Sequence, residues 1–540
     1  MQPAGGFNPL VLRAFPEADR GFPQKPASAS GISRSRQGVF FKKRRVLRAF
    51  PEADRGFLQK TASASGISRS TKGVNFIIRS NVLNLQPFKH LSMSDGKFNS
   101  IFGSILALAG SAVGLGNIWR FPYMVGEYGG AAFILIYILC MILVSMPIML
   151  SEFIVGRRSR CGAFSAVGKL CPQGPWKHYG ILAVLIPFST LCYYIVIGGW
   201  TLGYLVKSVA GEFTAGTDPV CIESGFGAFV SSPSLSLICM AVFLLLTFAV
   251  ILMGVEKGIE KCSKVMMPLL FVIMIVIAIR TVTLPGASDG VTYLFKPDFS
   301  KITPEVFLRA MGQAFYSLSV GMGIMITYSS YLPKKANLVK SAASTICADF
   351  VFALIAAVAI IPALFAFNMP TGQGTGLVFK TLPIVFTMMP MGSIVAVIFF
   401  FAVLLAALTS SMSLFEVPVG WLIESRRMSR RKACITVFIA TMAVGSICAL
   451  SFGPLAHIHL GNLGIFDAFD YIIGNYLMPF CGLVLVLFVG WKMKRDDKKQ
   501  ELFGDNLTST EKTFYSVLEF LIRYVAPVAV ISIFLSGILL

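Results

Sequence analysis

Two short strings hold the residues best suited to chemistry: Ser111-Ala-Val-Gly-Leu-Gly-Asn117 and Leu318-Ser-Val-Gly-Met-Gly-Ile324. Each places a Val-Gly-x-Gly step in the middle of a long apolar run. Glycine weakens a helix by roughly 1 kcal/mol relative to alanine, so the pairs predict interruptions there. An interruption within hydrocarbon frees N–H groups at one half-helix end and carbonyls at the other, and both must be satisfied. A carboxylate suits the first and a small cation the second. Asp349, Glu152 and Glu416 also fall inside apolar runs; Asp349 is there a costly acid that marks a functional site by default, while Glu152 and Glu416 read as hydrogen-bond partners for the broken segments. The competing readings are close helix packing for the glycines and tolerated, protonated burial for Glu152 and Glu416.

The elements that must position these residues are long apolar helices. Of 540 residues, 55% are hydrophobic and 14% charged, and the mean hydropathy is +0.74. Apolar windows give eleven spans, at about 101–124, 130–156, 179–209, 234–254, 262–284, 306–331, 338–367, 391–424, 433–455, 464–491 and 513–539. The loops after spans 2, 4, 6, 8 and 10 carry the basic residues, among them Arg157, Lys257, Lys334, Arg430 and Lys498. That bias places the N-terminus in the cytoplasm and the C-terminus outside. It also accounts for much of the net charge of +21 without nucleic acid as a partner. The 11 cysteines are scattered with no CxxC pair, so neither a metal site built on them nor a structural disulfide is expected.

The two glycine steps lie in spans 1 and 6, five spans apart. An odd repeat length inverts the second half in the bilayer. The expected architecture is therefore an all-α membrane protein with a 5+5 inverted repeat and unwound helices 1 and 6, with substrate and ions at the breaks. A zwitterionic amino acid together with sodium meets both demands of the broken backbone. No HExxH, GxSxG or nucleophile–base–acid set occurs at convincing spacing, so an enzyme is not expected. Residues 11–39 and 46–74 repeat nearly verbatim, even at polar positions, and are rich in Ser, Arg, Gly and Pro. Residues 1–92 read as a disordered, repeat-containing extension, and Met93 as the start of the working protein. The transporter domain would be 93–540, with a first repeat at about 101–284, a second at about 306–491 and an extra helix at about 513–539.

The stretch Gly110-Ser-Ala-Val-Gly-Leu-Gly-Asn-Ile-Trp-Arg-Phe-Pro-Tyr123 closely resembles the signature of the neurotransmitter:sodium symporter family. Further matches follow in order: Tyr193-Tyr194 before Trp200, Gly312-Gln-Ala-Phe-Tyr-Ser-Leu-Ser319, Ala406-Ala-Leu-Thr-Ser-Ser411 and Asp467-Ala-Phe-Asp470. The resemblance runs from about residue 97 to the C-terminus and is to the bacterial eleven-span, amino-acid-transporting branch with its LeuT-like fold. It implies a first sodium site from Ala112, Asn117, Ser317 and the substrate carboxylate. A second would use Gly110, Val113, Ala406, Thr409 and Ser410. The substrate carboxylate would meet the Leu115 and Gly116 amides and the Tyr194 hydroxyl. Thr190, Ile197, Tyr316, Ser319 and Met322 would line the pocket. Arg120 and Asp470 would close an outer gate under the Tyr316 lid; Glu424 and Tyr331 would belong to an inner one.

Departures from the family pattern sharpen this. Relatives that carry amines without a carboxylate have an aspartate where Gly114 stands, so the substrate here is expected to bring its own carboxylate, on a hydrophobic or aromatic amino acid. Asp349 stands where relatives often have asparagine. It is expected to join the first sodium site and to replace the chloride bound elsewhere near Tyr137, Gln313 and Ser317. The arginine of the inner latch is absent; Asp95 and Lys97 stand in its place, and Phe98 replaces a tryptophan. The expected function is sodium-coupled symport by alternating access, with two sodium ions, in the inner (plasma) membrane. The alternatives are proton coupling through Asp349, another carboxylate-bearing cargo, or a channel or sensor on the same fold.

Overall fold

The computed structural model describes residues 96–370, 374–504 and 508–539. The expected extension, residues 1–92, and Asp95 lie outside these residues. The described residues belong to one compact unit.

Among the described residues, nine unbroken helices are long and apolar enough to cross a membrane. They are span 2 (Ala131–Ser159), span 3 (Pro175–Val209), span 4 (Pro233–Leu252), span 5 (Val255–Val282), span 7 (Leu338–Ala366), span 8 (Gly392–Arg426), span 9 (Arg430–Leu450), span 10 (Ile465–Lys492) and span 11 (Ser509–Gly537). Span 1 is a pair, Ile101–Ala112 and Gly116–Glu127, bent by 56° at its break. Span 6 is likewise in two pieces, Pro304–Ser317 and Ile324–Ser330. Both interruptions expected from the glycine pairs are therefore present; among the described residues ten spans qualify by length and hydropathy, and the two short pieces of span 6 stand where the eleventh was expected.

Lipid-facing stripes explain why these helices stay apolar on the outside. Leu135, Leu139 and Ile142 on span 2, and Val272, Ile275, Val276 and Ile279 on span 5, are exposed at helical spacing. Spans 3 and 8 pack along one another at the centre and are largely buried. Span 5 begins seven residues before the apolar window suggested, because its first turn, Val255–Glu260, carries three charged residues and is π-helical.

The loops sort to two ends. At one, Arg157 and Arg158, where span 2 ends, pair with Glu501 at 2.8 Å and Asp497 at 2.5 Å on a short helix after span 10, Arg495–Phe503. Arg160 donates to the carbonyl of Leu332, just past span 6. At the other end, the Tyr293 hydroxyl, after span 5, donates to the Gly126 carbonyl of span 1. Arg280, near the end of span 5, donates to the Pro390 carbonyl just before span 8. The basic loops after spans 2, 6 and 10 thus share one face of the molecule.

Candidate functional site

The first half of span 1 ends at Ala112, and Val113 turns extended with ψ 112°. The chain returns to helical geometry at Leu115, and a π-helical turn, Gly116–Arg120, follows. Asn117 bridges the gap: its Oδ1 accepts from the Gly114 amide at 3.0 Å. Leu115 and Gly116 open the second half-helix, where the first N–H groups have no intrahelical partner and the dipole is positive.

In span 6, Ser319, Gly321 and Gly323 all take positive φ (51°, 79° and 71°). Gly321 has no alternative, because a β-carbon there would lie 2.6 Å from the Met478 carbonyl. Glu152 of span 2, fully buried, accepts from the freed Gly321 amide at 2.6 Å and from Ile326 at 3.3 Å. It is a partner of the broken segment rather than a merely tolerated acid. The Ser319 hydroxyl donates to the Ser111 carbonyl at 3.2 Å, tying one interruption to the other.

Between the breaks lies a cavity. Its lining includes Leu115, Gly116, Thr190, Tyr194, Tyr316, Ser319 and Met322, seven of the eight expected substrate residues. Ile197, the eighth, is buried outside the lining, one turn beyond Tyr194. Ser111, Ser413 and Leu414 also line it. Ser413 was missed by sequence reasoning; its position three residues after Ser410 on span 8 is the signal that would have found it. The Tyr194 hydroxyl is enclosed, faces Ser410 and the Leu115 backbone, and would lie 3.6 Å from a β-carbon on Gly114.

Two polar clusters flank the cavity. In one, Asn117 Nδ2 donates to Asp349 Oδ1 at 2.8 Å, and the Ser317 hydroxyl reaches Oδ1 and Oδ2 at 3.0 and 2.9 Å. The Tyr137 hydroxyl donates to Asp349 Oδ2 at 3.3 Å. Gln313 is fully buried, with neither side-chain polar atom partnered. In the other, the Thr409 hydroxyl lies 2.9 Å from the Ala406 carbonyl and 3.5 Å from that of Val113. The Ser410 hydroxyl lies 3.4 Å from the Val113 carbonyl. Gly110 adjoins this cluster, its β-position 3.5 Å from the Thr409 Cβ. Both donor sets are oxygen-rich, the chemistry a hard cation requires.

On one side of the cavity, the Arg120 guanidinium sits over the Tyr316 ring, 4.6 Å from its centroid. The charge of Arg120 acts on Asp470, and no ion pair within 4.0 Å joins them among the described residues. Trp119, beside Arg120 in the chain, is buried. Elsewhere, Tyr331 and Arg430 both bind Glu416: the hydroxyl donates at 2.9 Å and the guanidinium pairs at 2.6 Å. Glu424 instead accepts from the Gly162 amide at 2.6 Å, ahead of the helix Ala163–Leu170. Lys97 is exposed; Phe98 is the residue that docks, its amide donating to the Tyr331 carbonyl at 3.2 Å. Buried Glu260 of span 5 then holds the start of span 1, accepting from the Asn99 and Ser100 amides at 2.6 and 3.2 Å.

The profile of the sodium:neurotransmitter symporter family matches residues 95–223 and 229–540. The chain belongs to that family. It is a sodium-dependent, multi-pass membrane symporter. It is 40% identical to YhdH of Bacillus subtilis, described as an uncharacterized sodium-dependent transporter, over 81% of this chain and 96% of that one. A sodium-dependent transporter of Haemophilus influenzae is 36% identical over 80% of this chain and 96% of its own. Among solved structures, the symporter resembles MhsT in complex with L-phenylalanine, with TM-score 0.74 and 39% identity, over 82% of this chain and 99% of MhsT.

Proposed function

We propose that this symporter accumulates a hydrophobic or aromatic amino acid, coupled to two sodium ions and independent of chloride, by alternating access. The carrying observation is the cavity shared by both interruptions, with half-helix amides on one side and an oxygen cluster around Asp349 on the other. The substrate carboxylate would take the Leu115 and Gly116 amides and the Tyr194 hydroxyl. A β-carbon at Gly114 would meet the Ser410 hydroxyl, and with glycine there the pocket supplies no carboxylate of its own at that position.

The first sodium would sit among Ala112, Asn117, Ser317, Asp349 and the substrate; the second among Gly110, Val113, Ala406, Thr409 and Ser410. Asp349 supplies the fixed negative charge that chloride would otherwise bring. Arg120, Asp470 and Tyr316 would seal the outer path, and Tyr331 and Glu424 the inner one, as the breaks of spans 1 and 6 let the bundle rock. Each sodium moved inward through about 100 mV releases about 2.3 kcal/mol, and about 1.4 kcal/mol is a tenfold concentration ratio. We place the basic loops in the cytoplasm of a cell whose inner membrane holds the protein, with the C-terminus outside. The working unit is 93–540.

Uptake into proteoliposomes, with a panel of labelled amino acids and with or without a sodium gradient, tests this reading. Sodium-driven, saturable uptake of one hydrophobic or aromatic amino acid, unchanged when gluconate replaces chloride, is expected. Uptake driven by a pH gradient alone contradicts it.

A further inference from the structure

Spans 10 and 11 meet in a corner that holds more positive charge than the fold neutralises. Gly490, two residues before span 10 ends, lets them touch: a β-carbon there would lie 3.3 Å from Cγ of Arg523. Arg523 Nε donates to the Gly490 carbonyl at 2.8 Å and lies 2.7 Å from Glu519. The same carboxylate takes Lys498 at 2.8 Å and Arg495 at 3.5 Å, both from the short helix after span 10. One acid thus faces three cations. Lys492, Lys494 and Lys499 flank them, and among the described residues none of these three pairs with an acid. The acids Asp497 and Glu501 on the same helix are taken by Arg158 and Arg157. Asp496 is exposed.

Aromatic rings frame this cluster. The Arg523 guanidinium lies over the Trp491 ring, 5.7 Å from its centroid, and Trp491 is 58% exposed. Tyr524 meets Trp491 edge-on at 5.7 Å and Phe520 at 5.4 Å. Val517, Phe520, Tyr524 and Val528 are all exposed along one stripe of span 11. In a membrane protein such a stripe faces acyl chains, and tryptophan and tyrosine beside cations mark the headgroup level.

The bias of basic residues toward one face explains why cations stand here. It does not explain why three of them are fixed around one carboxylate, beside an exposed tryptophan. Arginine matches two phosphate oxygens at once, and lysine adds point charge. We propose that this corner binds an anionic phospholipid of the adjoining leaflet, its phosphate on Arg523, Arg495 and Lys494 and an acyl chain along the span 11 stripe. A zwitterionic headgroup fits less well, because its cationic end meets the same surplus of positive charge. Clusters of basic residues at this depth attract acidic lipids generally; here the cluster is held rigid by Glu519 and Gly490.

The test is native mass spectrometry of the purified full chain in detergent, with dioleoyl phosphatidylglycerol against dioleoyl phosphatidylcholine. The quantity read is the ratio of their dissociation constants. In the wild type phosphatidylglycerol should bind tenfold tighter or more. Changing Lys494→Gln, Arg495→Gln and Lys499→Gln together should cut that ratio at least fivefold. The control removes three exposed charges after span 6, Lys334→Gln, Lys335→Gln and Lys340→Gln, and should leave it within twofold. A wild-type ratio near one overturns the proposal. Equal losses in the two variants overturn it as well, since surface charge alone would then act. Displacement of the lipid by equimolar glycerol phosphate would mark a site for the free anion and overturn it too. If the first variant does not fold, a photoreactive phosphatidylglycerol on the wild type decides: labelling of residues 491–499 or 514–528 supports the site, and labelling only elsewhere overturns it.

Discussion

Asn117 donates to Asp349 across 2.8 Å, joining the break in span 1 to the middle of span 7. Ser317, at the end of the first half of span 6, bonds the same carboxylate. One acid thus gathers three helices at the edge of the cavity. In the proposed reading its charge serves the first sodium in place of chloride. Asp349→Asn should raise the sodium concentration for half-maximal uptake at least tenfold, a loss of about 1.4 kcal/mol, and should make uptake chloride-stimulated. Uptake in chloride against gluconate, over a sodium series, checks both. A variant with wild-type sodium dependence would remove Asp349 from the ion site.

A side chain at Gly114 would crowd the cavity wall. Its β-position falls on the Ser410 hydroxyl, and Tyr194 stands just beyond. Gly114→Ala should lower substrate affinity tenfold or more, because Ser410 must move away from the Val113 carbonyl. Binding of labelled substrate to protein that elutes as a single species by size exclusion measures this.

Glu152 is the buried cap of the second break, holding the Gly321 and Ile326 amides. Removing it leaves two enclosed N–H groups unbonded, at about 1–3 kcal/mol each. Glu152→Ala should therefore destabilise by about 2–6 kcal/mol, with Glu152→Gln in between, since one amide oxygen can still accept. Thermal unfolding of the purified protein in detergent ranks the three.

Glu416 is fully buried and pairs with Arg430 and Tyr331, at the end assigned above to the inner path. Breaking a buried pair by removing one partner costs about 3–5 kcal/mol. Arg430→Ala should show that loss and should open the inner path, read as faster labelling of a cysteine placed there. The double change Glu416→Gln with Arg430→Met should recover most of the stability, because neither charge is then stranded.

How far the sequence reveals this molecule follows from where each signal resides. Span positions rest on runs of apolar residues, which are local, and all eleven are legible. The breaks are legible for the same reason: Val113-Gly-Leu-Gly116 and Val320-Gly-Met-Gly323 announce themselves within four residues. The start of span 5 is not, because Glu256, Lys257 and Glu260 lower its hydropathy while Glu260 is in fact buried against Asn99 and Ser100. The partners of acids are not legible either. Glu416 meets Arg430 only because span 9 folds back beside span 8, and Glu424 turns to the Gly162 amide rather than to an N-terminal base. Thr190 and Ile197 lie on one face of span 3, yet the cavity reaches only the first, since its depth is set by neighbouring helices.

The central claim is that substrate and sodium complete each other's sites at the two breaks. Equilibrium binding of the preferred labelled amino acid to the purified protein, in sodium and then in potassium at equal ionic strength, tests it most directly. Replacing sodium should weaken binding tenfold or more, and substrate should tighten sodium binding by the same factor. Binding of equal strength in both salts would contradict it.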